Sequence, residues 1–124
     1  MKPKTTLTQA FACALRGIGQ TIAHERNIKI ELGIAAVALI AAAALHVELW
    51  GWLAIITAIG LVLAAELFNS ALEALVDLAS PEPNPLAKKA KDAAAGAVLT
   101  LSMLAVVIGC IVYISALVEI LAQS

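Results

Sequence analysis

The sequence predicts an all-α membrane protein, with an N-terminal amphipathic helix at the membrane interface followed by three transmembrane helices. Of the 124 residues, 62% are hydrophobic and 14% are charged, whereas soluble domains are close to half apolar and a quarter charged. Three apolar segments are each long enough to cross a bilayer, which takes about 20 helical residues. The length suits one domain, so we expect a single integral-membrane domain over residues 1–124.

The first predicted element is an amphipathic helix at about residues 6–27. Apolar side chains recur there every three or four positions, at Leu7, Phe11, Leu15, Ile18 and Ile22. This spacing gives a helix one apolar side, which suits a helix lying in the membrane interface. The segment is too polar for a cleavable signal peptide.

The three transmembrane spans are predicted at about residues 28–47, 49–76 and 93–121. Pro81, Pro83 and Pro85 break the chain between the second and third spans, because proline is not tolerated inside a helix. We expect the third helix to start directly after Pro85. Cys13 and Cys110 are interpreted as small buried apolar side chains.

The basic residues predict the orientation in the membrane. All eight lie in the N-terminal segment or in the second loop: Lys2, Lys4, Arg16, Arg26, Lys29, Lys88, Lys89 and Lys91. By the positive-inside rule, the N-terminus and the Pro-rich loop are cytoplasmic and the C-terminus is outside. Trp50 and Trp52 then anchor the first turn at the outer interface.

A polar stripe ends the second span, in the segment AELFNSALEALVD. Because a helix advances about 100° per residue, Glu66, Asn69, Glu73 and Asp77 share a face roughly 80° wide. Glu66 is predicted in the inner leaflet, with Asp77 roughly 16 Å nearer the cytosol. A carboxylate at that depth costs a few kcal/mol unless it is paired, cation-bound or protonated. The stripe therefore predicts a functional site, and a polar seam that only joins helices is the alternative.

A basic complement follows the Pro-rich loop. In KKAKDAAAG, Lys88, Lys91, Asp92 and Ala95 share one helical face. Lys88 and Lys89 are interpreted as an ordinary positive-inside flank, whereas Lys91 beside Asp92 is a candidate phosphate ligand, since lysine binds phosphate oxygens as a compact cation.

Two further carboxylates, Glu25 and Glu31, lie at the predicted entrance to the first span. Membrane topology does not require acidic residues there, so both are candidate site residues. The alternative interpretation is that they are ordinary hydrated charges at the interface.

Carboxylates and a lysine at the boundary of water and lipid match the needs of phosphoryl transfer. Mg²⁺ prefers one or two carboxylates together with phosphate oxygens, and a base must take the proton from the attacking hydroxyl. The sequence has neither a P-loop nor a kinase-type Gly-rich loop, so a nucleotide site must be built from side chains on helices. A small ion-coupled transporter and a purely structural membrane subunit are the competing hypotheses.

The segment AELFNSALEALVD, preceded by HERN and followed by NPLAKKAKDAAAGAV, closely resembles the small prokaryotic membrane diacylglycerol kinases, a family that includes undecaprenol kinases. The pattern E-x-x-N-[ST]-A-[IL]-E-x-x-V-D with a downstream A-K-D is highly specific, and the resemblance covers essentially the whole chain. It implies a trimer of three-span subunits in the bacterial plasma membrane. It also implies that ATP and Mg²⁺ are used to phosphorylate a membrane lipid alcohol, at sites shared between neighbouring subunits.

The resemblance also implies catalytic roles for particular residues. Glu66 would be the general base for the lipid hydroxyl, and Asn69 would position the base and the phosphoryl group. Lys91 would contact phosphate, with Asp92 as its neighbour in the site.

Cofactor-binding roles are implied in the same way. Glu25 and Glu73 would hold Mg²⁺ at the ATP phosphates, and Asp77 would lie toward the nucleoside. Arg16 matches a position that is often basic near ATP. Glu31 matches an acidic position of the family, and its role stays open.

The acceptor is predicted from the segments ERN and PLAKKAKDAAAGAV, which resemble the undecaprenol kinase branch of the family, and from position 95. The diacylglycerol-specific branch commonly has serine where this chain has Ala95, and loss of that hydroxyl fits a plain prenol. Undecaprenol is therefore the preferred acceptor, and diacylglycerol is the alternative.

Overall fold

The computed structural model describes residues 3–124, and every regular element within that range is an α-helix. The helices are α1 (Leu7–His24), α2 (Arg26–Ala44), α3 (Leu49–Ala79) and α4 (Pro85–Gln123). α2, α3 and α4 are each long and apolar enough to cross a membrane. The predicted all-α membrane class is confirmed.

Helix α1 starts at a capping box. The Thr6 hydroxyl accepts a hydrogen bond from the Gln9 backbone N–H (3.2 Å), and the Gln9 side-chain oxygen accepts one from the Thr6 N–H (3.0 Å), so two otherwise unpaired donors are satisfied. The helix ends at His24 because Glu25 adopts an extended conformation (φ −101°, ψ 119°). It therefore ends three residues before the expected 6–27 segment does. No residue of α1 is buried, so its apolar side is free to enter the membrane interface.

The connection between α2 and α3 is a tight turn packed against α4. His46 has a φ of 51°, a left-handed conformation that few residues other than glycine adopt, and the Val47 N–H donates to the Ala42 carbonyl (3.1 Å). A Cβ added to Gly51 would collide with the Val47 side chain and would lie 3.0 Å from Val112 Cγ1. Glycine at position 51 therefore allows the turn to approach α4.

Helix α4 begins inside the Pro-rich loop. The Asn84 side-chain oxygen accepts from the Leu86 N–H (2.8 Å), and Pro85 occupies the first helical position, where its missing N–H has no consequence. The 39 residues of α4 span about 58 Å at 1.5 Å per residue, well beyond the roughly 30 Å hydrocarbon layer. Helix α4 is therefore longer than the hydrocarbon layer is thick.

The protein interior follows one face of α3, which packs mainly on α4 and to a smaller extent on α2. A buried cluster joins the three long helices near the α2–α3 turn: Ala42, Val47, Ile55, Val112 and Ala116. Many large apolar side chains on the outward faces remain exposed, as expected for surfaces that meet lipid or further copies of the chain.

Both cysteines are free and exposed in the protomer. The expectation that Cys13 and Cys110 are buried is wrong for the single chain, because each lies on an outward face of its helix.

Candidate active site

The site is built on the buried face of α3. Ala58, Val62 and Glu66 follow one another along this face, one helical turn apart, and all three are buried. Glu66 is only 5% exposed and is the one buried charged residue within residues 3–124. A carboxylate lying in line with the apolar core is costly to bury unless it is paired or protonated. Its position therefore points to function.

Beyond Glu66 the stripe emerges gradually from the interior. Asn69 and Glu73 are half-buried and Asp77 is exposed. The Asn69 side-chain N–H donates to Glu73 Oε1 (3.2 Å), which holds the Glu73 carboxylate against α3. The Asn69 side-chain oxygen is buried and finds no partner in the described part of the chain. Since buried polar atoms are nearly always hydrogen-bonded, this oxygen is suited to accept from a ligand.

Lys91 on α4 pairs with Asp77 on α3. This ion pair connects the two helices across the Pro-rich loop and brings Lys91 to the stripe. Asp92 instead accepts from Lys88 one turn earlier, at 2.6 Å, because consecutive helical residues point about 100° apart. Lys88, Asp77 and Asp92 are mostly exposed and Lys91 is partly exposed, so solvent screens both ion pairs and each is weak. Either lysine can therefore exchange its partner at little cost.

Glu25 lies at the break between α1 and α2. It is half-buried and lines a groove of about 540 Å³ between α1 and α3. Glu31 is also half-buried but lines a separate apolar cleft between the three long helices. Glu25 and Glu31 lie near the start of α2, at the same end of the bundle as Glu66 and Glu73 on α3. One end of the bundle thus gathers four carboxylates, whose mutual repulsion a cation would relieve.

Arg16 is not brought to this groove within one protomer. Its side chain is exposed, it is not among the groove residues, and it makes no ion pair within residues 3–124. Its suggested contact with nucleotide stays a prediction.

The arrangement of the carboxylates bears on the kind of Mg²⁺ site that the protein could form. Among the described residues, no group of three or more His, Cys, Asp or Glu side chains could hold a metal ion. A closed site made only of protein ligands is therefore not formed. Mg²⁺ is typically bound by one or two carboxylates plus substrate phosphates. Glu25 lines the α1–α3 groove and Glu73 is bonded to Asn69 on α3, and their joint binding of Mg²⁺ stays a prediction.

Two polar residues were missed from the sequence, one at the site and one in the cleft that lies alongside it. Ser70 lines the α1–α3 groove, and its position four residues after Glu66, about 40° around the helix, was the available signal. Tyr113 donates its hydroxyl to the Ala38 carbonyl (2.5 Å). It is the single tyrosine of the sequence and lies within an apolar span, but its partner is 75 positions away.

The fold and the site together define a small integral-membrane protein whose polar groups converge at one end of a helical bundle. The particular family follows from comparison with known proteins: the chain belongs to the prokaryotic diacylglycerol kinases, whose family description matches residues 12–113. The predicted family and the predicted enzyme class, a lipid kinase, are confirmed.

Two curated relatives are similar over most of the chain. Undecaprenol kinase of Bacillus subtilis is 37% identical over 106 residues, which cover 86% of this chain and 86% of the relative. Diacylglycerol kinase of Synechocystis sp. is 38% identical over 104 residues, which cover 83% of this chain and 59% of the relative.

Proposed function

We propose that the protein transfers the γ-phosphoryl group of ATP to the hydroxyl of a membrane lipid alcohol, with undecaprenol as the preferred acceptor. The observation that carries the proposal is the burial of Glu66 in line with the apolar core of α3, followed along the same face by Asn69 and Glu73. An acceptor hydroxyl arriving from the lipid phase meets Glu66 first, whereas ATP arriving from the cytosol meets the exposed end of the stripe.

The chemistry follows from this order. Glu66 accepts the proton of the hydroxyl as its oxygen attacks the γ-phosphorus. The bond from the γ-phosphorus to the β–γ bridging oxygen breaks, and ADP leaves with the electron pair. Asn69 presents its free side-chain oxygen beside the base, and Lys91 releases Asp77 to contact phosphate. Burial of Glu66 keeps water away from the attacking position and so limits wasteful ATP hydrolysis.

The nucleotide end of the stripe would hold Mg²⁺. Glu73 and Glu25 would be its protein ligands, and the ion would neutralise phosphate charge when bound. Asp77 and Asp92 would lie toward the nucleotide beside Lys91, and Arg16 would complete the ATP contacts.

The assembly and its location are also part of the proposal. A homotrimer with shared sites in the bacterial plasma membrane would bring a neighbouring subunit to the exposed apolar faces. The active site would be cytoplasmic, because the described basic residues lie at the same end of the bundle as the stripe.

The preference for undecaprenol is supported by the Bacillus subtilis relative and by Ala95. Diacylglycerol is the second candidate, supported by the relative named diacylglycerol kinase.

A direct assay tests the proposal. Purified protein in detergent micelles is incubated with labelled MgATP and either undecaprenol or diacylglycerol, and lipid-bound phosphate is measured. We expect phosphate on both lipids, a higher kcat/KM for undecaprenol, and loss of transfer when EDTA removes Mg²⁺. Transfer to neither lipid would overturn the proposed activity, and a higher kcat/KM for diacylglycerol would overturn the acceptor assignment.

A further inference from the structure

A second cavity lies inside the protomer, between α2, α3 and α4. This cleft has a volume of about 300 Å³ and is mostly apolar. Small residues from all three helices leave the space open, among them Ala35, Ala38, Ala58, Ala105 and Gly109.

Polar side chains lie toward both ends of the cleft. At one end Tyr113 reaches from α4 to α2, where its hydroxyl donates to the Ala38 carbonyl. Glu31 and Ser102 supply the other polar groups of the lining. Because α3 and α4 run antiparallel from the Asp77–Lys91 pair, Ser102 lies at the level of Glu66: each is eleven positions into its helix from the paired residue.

The cleft leads toward the buried glutamate. Ile55, Ala58 and Val62 line it on the same face of α3 that carries Glu66. Glu66 follows Val62 by four residues, or about 6 Å along the helix. An amphiphile whose hydroxyl lies at Glu66 would therefore direct its adjoining hydrocarbon along this lining.

We infer that the cleft receives the hydrocarbon next to the hydroxyl of the acceptor and selects for an acceptor with a single hydrocarbon chain, with Ala105 and Gly109 as specificity-determining residues. The inference rests on the proposed lipid kinase activity. A volume of about 300 Å³ is at the lower end of small-molecule pockets, so it holds one chain segment. The ester groups and second chain of a glycerolipid would be buried among apolar side chains with few hydrogen-bond partners, which is unfavourable.

The test fills the cleft in steps. Ala105→Leu places a large side chain in it, and Gly109→Ala adds one methyl group that meets the Tyr113 ring at an ordinary contact distance of 3.8 Å. The matched control is Cys110→Leu, which adds bulk to the exposed side of α4. We expect Ala105→Leu to raise the KM for undecaprenol in mixed micelles about tenfold, the size of a single steric misfit in an apolar pocket. Gly109→Ala should give a smaller increase, while the control and every KM for MgATP stay within about twofold.

Three results would overturn the inference. The first is an undecaprenol KM for Ala105→Leu equal to that of Cys110→Leu. The second is an equal rise in the KM for MgATP. The third is loss of the parent oligomeric state on size exclusion in Ala105→Leu alone, which would show that a second copy of the chain fills the cleft. If Ala105→Leu does not fold, Gly109→Ala decides, because an unchanged undecaprenol KM would overturn the inference. A parent protein that phosphorylates no lipid would instead refute the proposed function.

Discussion

Glu66 is the residue whose surroundings differ most from those its chemistry prefers, since it is 5% exposed and aligned with an apolar core. We expect Glu66→Gln to lower kcat by about 10²–10⁴, the usual contribution of a general base, because the amide cannot take the hydroxyl proton. Binding of MgATP should stay unchanged, and the thermal midpoint in detergent should not fall, since an unpaired buried charge is removed. Turnover, nucleotide binding and thermal unfolding are the measurements.

Glu73→Gln is the matched comparison, because it makes the same chemical change two helical turns away. The amide oxygen of glutamine can still accept from Asn69, so the local hydrogen bond is kept while the negative charge is lost. We expect a KM for MgATP raised about tenfold, equivalent to roughly 1.4 kcal/mol. If both variants phosphorylated lipid with the parent kinetics, the division of roles along the stripe would be wrong.

At the level of elements, the approach of the α2–α3 turn to α4 depends on Gly51. A methyl group at position 51 would collide with Val47 and press on Val112, so Gly51→Ala should destabilise the protein by about 1–3 kcal/mol, as overpacking of an interior usually does. Gly60→Ala on the same helix is the control, because an added Cβ there meets nothing within 4 Å. Thermal unfolding in detergent should show a lower midpoint for Gly51→Ala alone, and equal midpoints would contradict the packing argument.

At the scale of the whole molecule, charge separates the two ends of the bundle. The loop containing Glu82 lies at the end with Lys88, Lys89 and Lys91, whereas Ser124 follows α4 at the opposite end.

In a protein with Cys13 and Cys110 changed to serine, Ser124→Cys should react with a membrane-impermeant maleimide in intact spheroplasts. Glu82→Cys should react only after permeabilisation, because the positive-inside rule places that loop in the cytoplasm. The reverse labelling pattern would contradict the orientation.

Much of the fold can be predicted from local chemistry. Composition and the lengths of the apolar runs indicated the helical membrane class, because the hydrophobic effect and backbone hydrogen bonding in lipid leave few alternatives. Helical periodicity placed Glu66, Asn69 and Glu73 on one face of α3. The end of α1 at His24 was less predictable, since it depends on the extended conformation of Glu25.

Contacts between distant parts of the chain required the packed helices. Lys91 has Asp92 as its sequence neighbour, yet it pairs with Asp77 because the antiparallel arrangement of α3 and α4 brings those two side chains together. The packing of α2, α3 and α4 likewise determines the burial of Glu66 and the hydrogen bond from Tyr113 to Ala38. It also determines the cleft between these three helices. Periodicity identifies which side of a helix is apolar, but the opposing surface, and therefore the partner and the empty space, is set only when the helices pack.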